Sequence, residues 1–373
     1  MVKRILLLSR SYSPLLTPRA FRTRELVNEL LRRGYYISAV LPSYADIDMK
    51  RVDVRFIKSL TISLQKGENT VFSIKQCLLD SIRTTSKFFF GDTPGDIIYS
   101  FRMIFDVICL LKKCDYDVIL SIGCPFYIHV AAVLGRFLAG ERVKIIAECS
   151  DPFYEDKCFI KAFYLKYVEG IILQDCDYIT IPMEAARKSY ADYGIDDKIR
   201  IVPQGFAITQ IDDDVYRHNA VPMFCFAGVL YEKIRNPRYF LDYLLQVKQD
   251  FIFVVYALPD AFTMSLLEEY KAKLGDRLEI REPLAREELI RVMAGMEFVV
   301  NFDNENSNQK PSKLIDYAMS KRPILSFNSR TFRAEVFEAF LRGDYTQRER
   351  IDLSQYDIRN VVDKFEALFA LGK

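Results

Sequence analysis

Residues 4–41, RILLLSRSYSPLLTPRAFRTRELVNELLRRGYYISAVL, carry the clearest indication of the fold class. Residues 5–8 form a continuous aliphatic run, which is typical of a strand covered on both faces in a parallel sheet. Apolar residues of 26–31 then recur at helical spacing, and Gly34 stands where the helix should end. Residues 37–41 predict a second strand. Strand, helix and strand in this order predict one right-handed βαβ unit.

The same alternation continues along the first half of the chain. It predicts strands at 118–120, 143–147, 178–181 and 199–202, with helices at 127–138 and 184–193. Residues 207–222 lack periodicity, contain three consecutive aspartates and end at Pro222. We therefore expect the first domain to span residues 1–206 and a linker to occupy 207–222.

After the linker the alternation begins again. It predicts strands at 223–228, 251–257, 278–281, 297–303 and 323–327, and helices at 237–247, 262–273, 286–295 and 311–321. The pattern thus predicts an α/β protein with two doubly wound parallel-sheet domains, the second covering 223–355. A last helix is expected in the C-terminal segment 356–373, and it could cross back to the first domain. We expect both sheets to present their carboxyl ends to one cleft, where ligands of such sheets bind.

Length and composition agree with this organisation. The 373 residues exceed the roughly 250–300 at which a single core stops growing, so two domains are expected. Half of the residues are apolar and 27% are charged, as in an ordinary globular protein. The 52 basic and 50 acidic side chains leave a net charge of +2, which argues against a nucleic acid partner.

The cysteine pattern and the hydropathy argue against a metal-binding, secreted or membrane-spanning protein. The eight cysteines form no C-x-x-C pair and the chain has only two histidines, so no metal site is expected. Arg10 interrupts the first apolar run, which we interpret as a buried strand and not as a signal peptide. No stretch approaches the roughly 20 apolar residues that span a bilayer. We expect a cytoplasmic protein with reduced thiols.

The most informative segment for chemistry is 301–318, in which a buried strand leads into a polar loop and then a helix opened by Pro311. Free backbone N–H groups at such a helix start can bind phosphate, with Ser312 and Lys313 as further donors. Asp316 lies one turn deeper and could accept hydrogen bonds from a ribose diol. The alternative is an ordinary helix start, in which Lys313 and Asp316 form a solvated i,i+3 ion pair.

This segment resembles the donor-binding signature of family-4 glycosyltransferases. The matching residues are Gln309, Pro311, Ser312, Lys313, Leu314, Asp316 and Tyr317, followed by Lys321-Arg322-Pro323-Ile324-Leu325. The family usually has two glutamates eight positions apart here, and this chain has Asn308 and Asp316. The resemblance implies that Asp316 keeps the second carboxylate. It implies that Asn308 replaces the first glutamate, which contacts the donor sugar.

A second match opens the second domain, at residues 227–237. It resembles the family's strand, glycine turn and basic residue that holds the diphosphate. Gly228 would let the backbone approach the donor. Tyr231, three residues later, is a further candidate donor-binding residue. Arg235 is the candidate phosphate clamp, because its planar guanidinium can bind two oxygens. The alternative is that Arg235 is a surface charge.

The first domain carries weaker matches. The loop from Ser9 to Arg19 follows the first strand, where the family has a glycine pair near donor phosphate and acceptor. Its candidate acceptor-side residues are Ser9, Arg10 and Arg19. Residues 121–129 resemble the active-site turn of these enzymes, which adds Cys124 on the acceptor side and His129 as a catalytic candidate. A core position for His129, among small apolar residues, is an equal alternative.

Two further segments complete the resemblance. Residues 148–153 are similar to the family's acidic-proline segment, in which Asp151 could position an acceptor hydroxyl or cap the following turn. Residues 203–206 resemble the entry to the interdomain hinge. The matches cover nearly the whole chain in the family's order. The resemblance therefore implies the GT-B architecture, in which two Rossmann-like domains face a cleft.

The expected function is transfer of a sugar from a nucleoside diphosphate sugar to a saccharide or lipid-linked saccharide, in surface polysaccharide or glycan assembly. By resemblance the reaction retains the anomeric configuration and needs no metal or further cofactor. Arg235 and Lys313 would stabilise the departing diphosphate. The alternatives are a non-hydrolysing sugar-nucleotide epimerase and a non-catalytic sugar-nucleotide-binding subunit.

Peripheral membrane contact at the inner face is a lesser hypothesis. It rests on Arg83, Lys87, residues 88–90 and the aromatic, basic stretch that extends to Lys113. Composition alone favours a core position for these aromatic side chains.

Overall fold

The computed structural model describes residues 4–15, 17–47, 52–57, 74–156, 160–208, 211, 215–232, 235–303 and 313–371. The contacts between Cα atoms divide the chain into two compact units. Unit 1 comprises Met1–Ala207 and Gln355–Lys373, and unit 2 comprises Ile208–Ser354. Among the described residues, no helix is both long enough and apolar enough to cross a bilayer.

Unit 1 is built on a parallel sheet of seven strands in the order β3-β2-β1-β4-β5-β6-β7. The strands are β1 (Arg4–Leu8), β2 (Tyr36–Pro42), β3 (Val52–Ile57), β4 (Val118–Ile122), β5 (Lys144–Glu148), β6 (Tyr178–Ile181) and β7 (Ile199–Ile201). The order reverses between β1 and β4, which is the mark of a doubly wound sheet. All residues of β4 are buried, as the continuous apolar run predicted.

Helices cover this sheet. They are α1 (Pro18–Arg32), α2 (Ile74–Phe90), α3 (Pro94–Lys113), α4 (Tyr127–Ala139) and α5 (Tyr164–Gln174), and a 3-10 helix spans Glu184–Tyr193. The Thr17 side chain caps α1 by accepting a hydrogen bond from Ala20 N at 3.3 Å. Gly34, just past the other end, has φ +86°, and Tyr35 N bonds back to Leu30 O at 3.1 Å. This pattern ends the helix where the sequence predicted an end.

Glycine 135 sets the distance between α3 and α4. A Cβ atom on Gly135 would stand 2.4 Å from Cγ1 of Val107, so the two helices can pack this closely only with glycine there. The helices bury one face of the sheet together with residues such as Met103 and Ile128. The other face is covered by α1, with Leu26 and Leu30 among its buried residues.

Unit 2 is built on a parallel sheet of five strands in the order β10-β9-β8-β11-β12. Its strands are β8 (Met223–Gly228), β9 (Ile252–Ala257), β10 (Leu278–Arg281), β11 (Phe298–Phe302) and β12 (Ile324–Phe327). Its helices are α6 (Arg238–Leu244), α7 (Ala261–Leu274), α8 (Arg286–Ala294), α9 (Lys313–Met319) and α10 (Ala334–Leu341). Phenylalanine dominates the core: the Phe224 ring stacks on Phe253 and Phe298 at centroid distances of 4.9 and 4.7 Å.

The last helix, α11 (Ile358–Ala370), packs into unit 1. Val362 and Phe365 join the core cluster that covers one face of the first sheet. The C-terminal end of α11 is closed by Lys144 of β5, whose buried Nζ donates to the carbonyl oxygens of Leu368 and Phe369 at 3.0 Å each. A lysine ammonium thus satisfies carbonyl groups that have no partner inside their own helix.

We expect Lys144→Met to destabilise the protein by about 2 kcal/mol, because the substitution keeps the apolar stem and removes a charged donor from buried carbonyls. Urea unfolding followed by circular dichroism measures this. The control is Lys364→Met on the exposed side of α11, which should change the unfolding free energy little. Equal effects of the two substitutions would contradict the capping role.

Candidate functional site

The strand order of unit 2 reverses between β8 and β11, and ligands of doubly wound sheets bind outside the carboxyl ends at such a point. Gly228 ends β8 there with φ +146°, a conformation that side chains rarely allow. A Cβ atom on Gly228 would stand 3.2 Å from Nζ of Lys313, the first residue of α9. The two residues that the sequence assigned to the donor are therefore neighbours.

Lys313 is the most unusual side chain of this region. Its Nζ is buried and has no hydrogen-bond partner among the described residues. The ammonium lies 4.2 Å from the centroid of the Phe226 ring. Burial, reinforced by the nearby Arg235 cation, lowers the pKa of Lys313 well below its usual value. An isolated buried amine of this kind is costly, and an anion would relieve the cost.

Arg235 stands beside Lys313. Its Nη1 donates to Val229 O at 3.2 Å, and its guanidinium lies 5.7 Å from the centre of the Tyr231 ring. Backbone hydrogen bonds of 3.0 and 3.3 Å between Tyr231 and Arg235 close the turn. Burial lowers the pKa of Arg235 from its ordinary value. The predicted clamp residue is thus not an ordinary surface charge.

Tyr317 fixes α9 against β8. Its buried hydroxyl accepts a hydrogen bond from Ala227 N at 3.0 Å and donates to Ala227 O at 2.7 Å. The Tyr317 ring also lies 6.0 Å from Nζ of Lys313. These two hydrogen bonds to Ala227 fix the position of α9 relative to the end of β8. It therefore sets the distance between Lys313 and Gly228.

Asp316 forms an ion pair with Arg286, the first residue of α8, and the expected alternative of a Lys313–Asp316 pair is wrong. Arg286 donates to Oδ1 of Asp316 from Nε at 2.8 Å and approaches it with Nη2 at 2.6 Å. Burial raises the pKa of the Asp316 carboxyl group, and the Arg286 charge opposes that rise. No local sequence pattern indicates Arg286, because the contact joins residues of two different helices that are 30 positions apart.

Asp303, at the carboxyl end of β11, supplies a further carboxylate that the sequence did not assign. Its oxygens accept hydrogen bonds from Asn301 Nδ2 at 2.5 Å and from Ser326 Oγ at 2.8 Å. The Asp303 charge acts to raise the pKa of Lys313, opposing burial. Asp303 therefore reduces the positive potential at Lys313 without forming a hydrogen bond to its Nζ.

Four predicted donor residues, Asn308, Gln309, Pro311 and Ser312, lie outside the described residues. Their roles stay predictions, as does the phosphate-binding helix start that the sequence indicated there.

Unit 1 brings together two of the predicted residues. Arg19 donates to Asp151 at 2.8 Å. Beside this pair, Arg22 donates to Ser150 Oγ at 2.8 Å and lies 3.9 Å from Glu148. Both arginines and Glu148 line a small cavity of about 40 Å³. Arg22 and Glu148 were not predicted from the sequence. The spacing of Arg22, one helical turn after Arg19, could have indicated it.

The other acceptor-side candidates have different surroundings. The buried hydroxyl of Ser9 donates to Ser11 O at 3.0 Å and accepts from Ser11 N at 3.1 Å. Arg10 donates to Asp96 at 3.2 Å and lies 4.8 Å from the Tyr99 ring centre. These contacts hold the side chains of Ser9 and Arg10 within unit 1, and their expected ligand roles stay predictions. Cys124 is exposed, with φ +63°.

His129 occupies the core position that was its alternative, and its role as a catalytic residue stays a prediction. Only 2% of the residue is exposed, and Nδ1 lies 2.8 Å from the Ser121 hydroxyl. Nε2 lies 3.6 Å from Sγ of Cys149. Burial lowers the pKa of His129 to about 3, which keeps the imidazole neutral. The sequence could not decide this, because small apolar neighbours suit both positions.

The chain is similar to a known protein family and to several solved structures. A family model described as Glycosyltransferase Family 4 matches residues 20–210. A search of curated proteins found no match. Among solved structures, the chain is similar to HepE of Anabaena in complex with UDP, with 11% identity and a TM-score of 0.62 over 99% of this chain and 100% of that chain.

Two more structures show the breadth of this likeness. The apo form of the lipopolysaccharide outer core galactosyltransferase WaaB has 11% identity and a TM-score of 0.58, covering 98% of this chain and 99% of that one. The UDP-GlcNAc 2-epimerase of Methanocaldococcus jannaschii has 13% identity and a TM-score of 0.54, covering 100% of both chains. At these identities the likeness shows the fold, and it confirms the predicted fold class of two parallel-sheet α/β domains.

The core position of His129 predicts a dependence of stability on pH. The unfolded chain takes up a proton at His129 near pH 6.5, whereas the folded protein does so only near pH 3. Between these values the unfolded state binds more protons, so stability is lost as pH falls. We expect His129→Gln to flatten this loss between about pH 6.5 and 5, as measured by urea unfolding at several pH values. Parallel curves for the two proteins would argue against a buried neutral imidazole.

Proposed function

Because this chain belongs to glycosyltransferase family 4, we propose that it transfers a sugar from a nucleoside diphosphate sugar to a saccharide or lipid-linked saccharide. The observation that carries the proposal is the buried ammonium of Lys313, which has no hydrogen-bond partner among the described residues. Two solved structures of HepE, which has the same fold, contain UDP or UDP-glucose. A diphosphate is the anion that such a site would take.

The diphosphate is the leaving group, so its negative charge grows as the bond to the sugar breaks. Lys313 and Arg235 provide two fixed positive charges where that charge develops. Their mutual repulsion, which contributes to the lowered pKa of Lys313, is relieved when a diphosphate lies between them. Gly228 allows the ligand to approach the backbone, because it carries no Cβ atom. These protein cations serve the role for which many other transferases use a metal ion.

We assign the ribose of the nucleotide to Asp316. A carboxylate accepts hydrogen bonds from a diol only when it is ionised, and burial alone would favour the protonated form. The two contacts from Arg286, both to Oδ1, counter that effect, and the described residues place no hydrogen bond on the second oxygen, Oδ2, which we assign to the ligand. Arg286 is thus a positioning residue for the ribose carboxylate.

Unit 1 is proposed to hold the acceptor. Asp151 is half exposed and is oriented by Arg19, so it can accept a hydrogen bond from an acceptor hydroxyl. Retention of the anomeric configuration is carried over from the family. In a mechanism that retains configuration without a protein nucleophile, the departing phosphate takes the acceptor proton. We place the reaction in polysaccharide or glycan assembly, in the cytoplasm or at the inner face of the membrane.

An epimerase is the second candidate, because the structural likeness to UDP-GlcNAc 2-epimerase covers the whole of both chains. An epimerase needs acid and base groups around the sugar ring. The imidazole of His129, one candidate for such a group, is only 2% exposed and lies 2.8 Å from the Ser121 hydroxyl. Incubation of a sugar nucleotide without acceptor separates the two functions, since an epimerase changes the sugar's configuration under these conditions. Tight binding without turnover on any acceptor would indicate the third alternative, a non-catalytic binding subunit.

Lys313→Met tests the donor site directly. The variant removes a buried unpaired amine but keeps an apolar stem, so we expect a higher thermal midpoint without ligand. We also expect the affinity for nucleoside diphosphates to fall at least 30-fold, roughly the cost of removing one partner of a buried charge pair. Thermal shift and calorimetry measure both effects. Lys248→Met, at an exposed position of the same unit, is the matched control. Unchanged nucleotide affinity in Lys313→Met would refute the site.

Diphosphate binding is expected to take up a proton. The lowered pKa of Lys313 rises when an anion binds, so the protonated amine is the form that the complex favours. The affinity for a nucleoside diphosphate should therefore decrease as the pH rises from the pKa of Lys313 in the free protein to its pKa in the complex. Calorimetry in buffers of different ionisation enthalpy detects the uptake. The Lys313→Met variant should show no such buffer dependence.

Arg286→Gln separates the ribose contact from the diphosphate contact. We expect weaker binding of a nucleoside diphosphate by about tenfold, since a positioned carboxylate hydrogen bond is lost. The variant and the parent protein should bind a 2′,3′-dideoxy nucleoside diphosphate equally well, because that ligand has no diol. An equal loss for both ligands would mean that Arg286 acts on the fold and not on Asp316.

A further inference from the structure

Unit 1 exposes apolar side chains that lie outside the residues assigned to the proposed sugar transfer. On α3, Ile98, Phe101 and Phe105 follow one another at helical spacing on the side opposite its buried residues, and Phe105 is 72% exposed. A second row runs along α5 and the segment before it, with Ile160, Phe163, Tyr164, Tyr167 and Ile171. The end of α2 adds Phe88, Phe89 and Phe90. We call these three groups together the α2–α5 surface. Apolar patches of this extent mark interaction sites.

Hydrogen bonds join the groups into one surface. The last carbonyl groups of α2 accept from residues near the other two rows: Phe88 O from Ala162 N at 2.8 Å, Phe89 O from the Tyr164 hydroxyl, and Phe90 O from the Tyr127 hydroxyl at 2.8 Å. These carbonyls would otherwise need water at the end of the helix. Since their partners come from the protein, the end of α2 can enter a medium poor in water.

A groove of about 480 Å³ between α2 and α3 extends this surface. Its apolar lining includes Ile82, Phe90, Ile97 and Ile98, and few polar atoms face it. Its size and lining suit a hydrocarbon chain.

The charges on α3 select the kind of partner. Its exposed charged side chains, Arg102, Lys112 and Lys113, are all cations. Its two acidic residues are only partly exposed: Asp96 pairs with Arg10, and Asp106 is half-buried, so that burial raises its pKa. Exposed aromatic side chains flanked by cations match a lipid surface with anionic head groups.

We propose that the α2–α5 surface docks unit 1 onto an anionic lipid bilayer, with hydrocarbon filling the groove between α2 and α3. This inference rests on the proposed function at one point, because it selects a lipid-linked saccharide as the acceptor. A second copy of the chain fits less well. A symmetric pair would bring the α3 cations of both copies into one interface, and like charges there are unfavourable.

Flotation with vesicles tests the proposal. The full-length protein is mixed with phosphatidylcholine vesicles, with or without phosphatidylglycerol, and centrifuged through a density gradient. We expect flotation that requires the anionic lipid and weakens with salt. Phe101→Ser/Phe105→Ser should lower the partition coefficient about tenfold or more. Arg102→Glu/Lys112→Glu should lose the dependence on anionic lipid. Tyr36→Ser, at a site of unit 1 that is 66% exposed, is the control and should float like the parent protein.

Three outcomes would overturn the proposal. These are a parent protein that stays in the bottom fraction with every vesicle, a Phe101→Ser/Phe105→Ser variant that floats normally, and a dimer seen by light scattering that this variant abolishes. Nucleotide-induced thermal shift, measured without vesicles on the same samples, reports the donor site separately. A normal shift without flotation removes only the membrane proposal, whereas flotation without any shift removes only the donor proposal.

Discussion

The ammonium of Lys313 is buried at the carboxyl end of β8, and this burial governs the geometry of the proposed donor site. Burying a lone cation opposes folding, so the surrounding structure must hold the amine in place. Tyr317 does so by bonding both backbone groups of Ala227, and Gly228 leaves room for the lysine stem. The Phe226 ring faces the ammonium and partly compensates for lost water. The buried amine thus lowers the stability of unit 2, and it leaves a site that is preorganised to bind an anion.

The reversal point of each sheet carries a different charge pattern. In unit 2, Lys313 and Arg235 stand together, and Asp303 is engaged mainly with Asn301 and Ser326. In unit 1, carboxylates accompany the cations: Arg19 pairs with Asp151, and Arg22 lies near Glu148. A site with surplus positive charge suits a diphosphate. A balanced site suits a neutral sugar hydroxyl, which needs one donor or acceptor and no net charge. This difference supports the proposed assignment of the donor to unit 2 and the acceptor to unit 1.

Sequence patterns predicted the elements whose apolar periodicity is strong. The strands at 178–181, 223–228 and 278–281 have the predicted bounds. The strand β3 was missed because Asp53 and Arg55 interrupt its apolar residues at the sheet edge, and α10 was missed because it follows a polar loop.

Helices α2, α3 and α5 were missed for another reason. They carry apolar residues on the solvent side as well as the core side, so no single stripe stands out. Composition favoured the core for Phe88, Phe89 and Phe90, and this expectation is wrong, since all three are exposed. In the site, Lys313, Gly228 and Arg235 were found because each belongs to a local motif. Arg286, which no local motif contains, follows only from the packing of α8 against α9.

The connection between the units also has a consequence for folding. Unit 2 is inserted between the two chain segments of unit 1, and α11 supplies Val362 and Phe365 to the first core. The Lys144 cap ties the end of that helix to β5. Unit 1 therefore cannot complete its core until the last residues have been synthesised. If unit 2 folds first, it shortens the loop that must close when α11 docks, and the entropy cost of closure falls with it. The insertion of unit 2 between the two segments of unit 1 thus favours folding of unit 2 before unit 1 is complete.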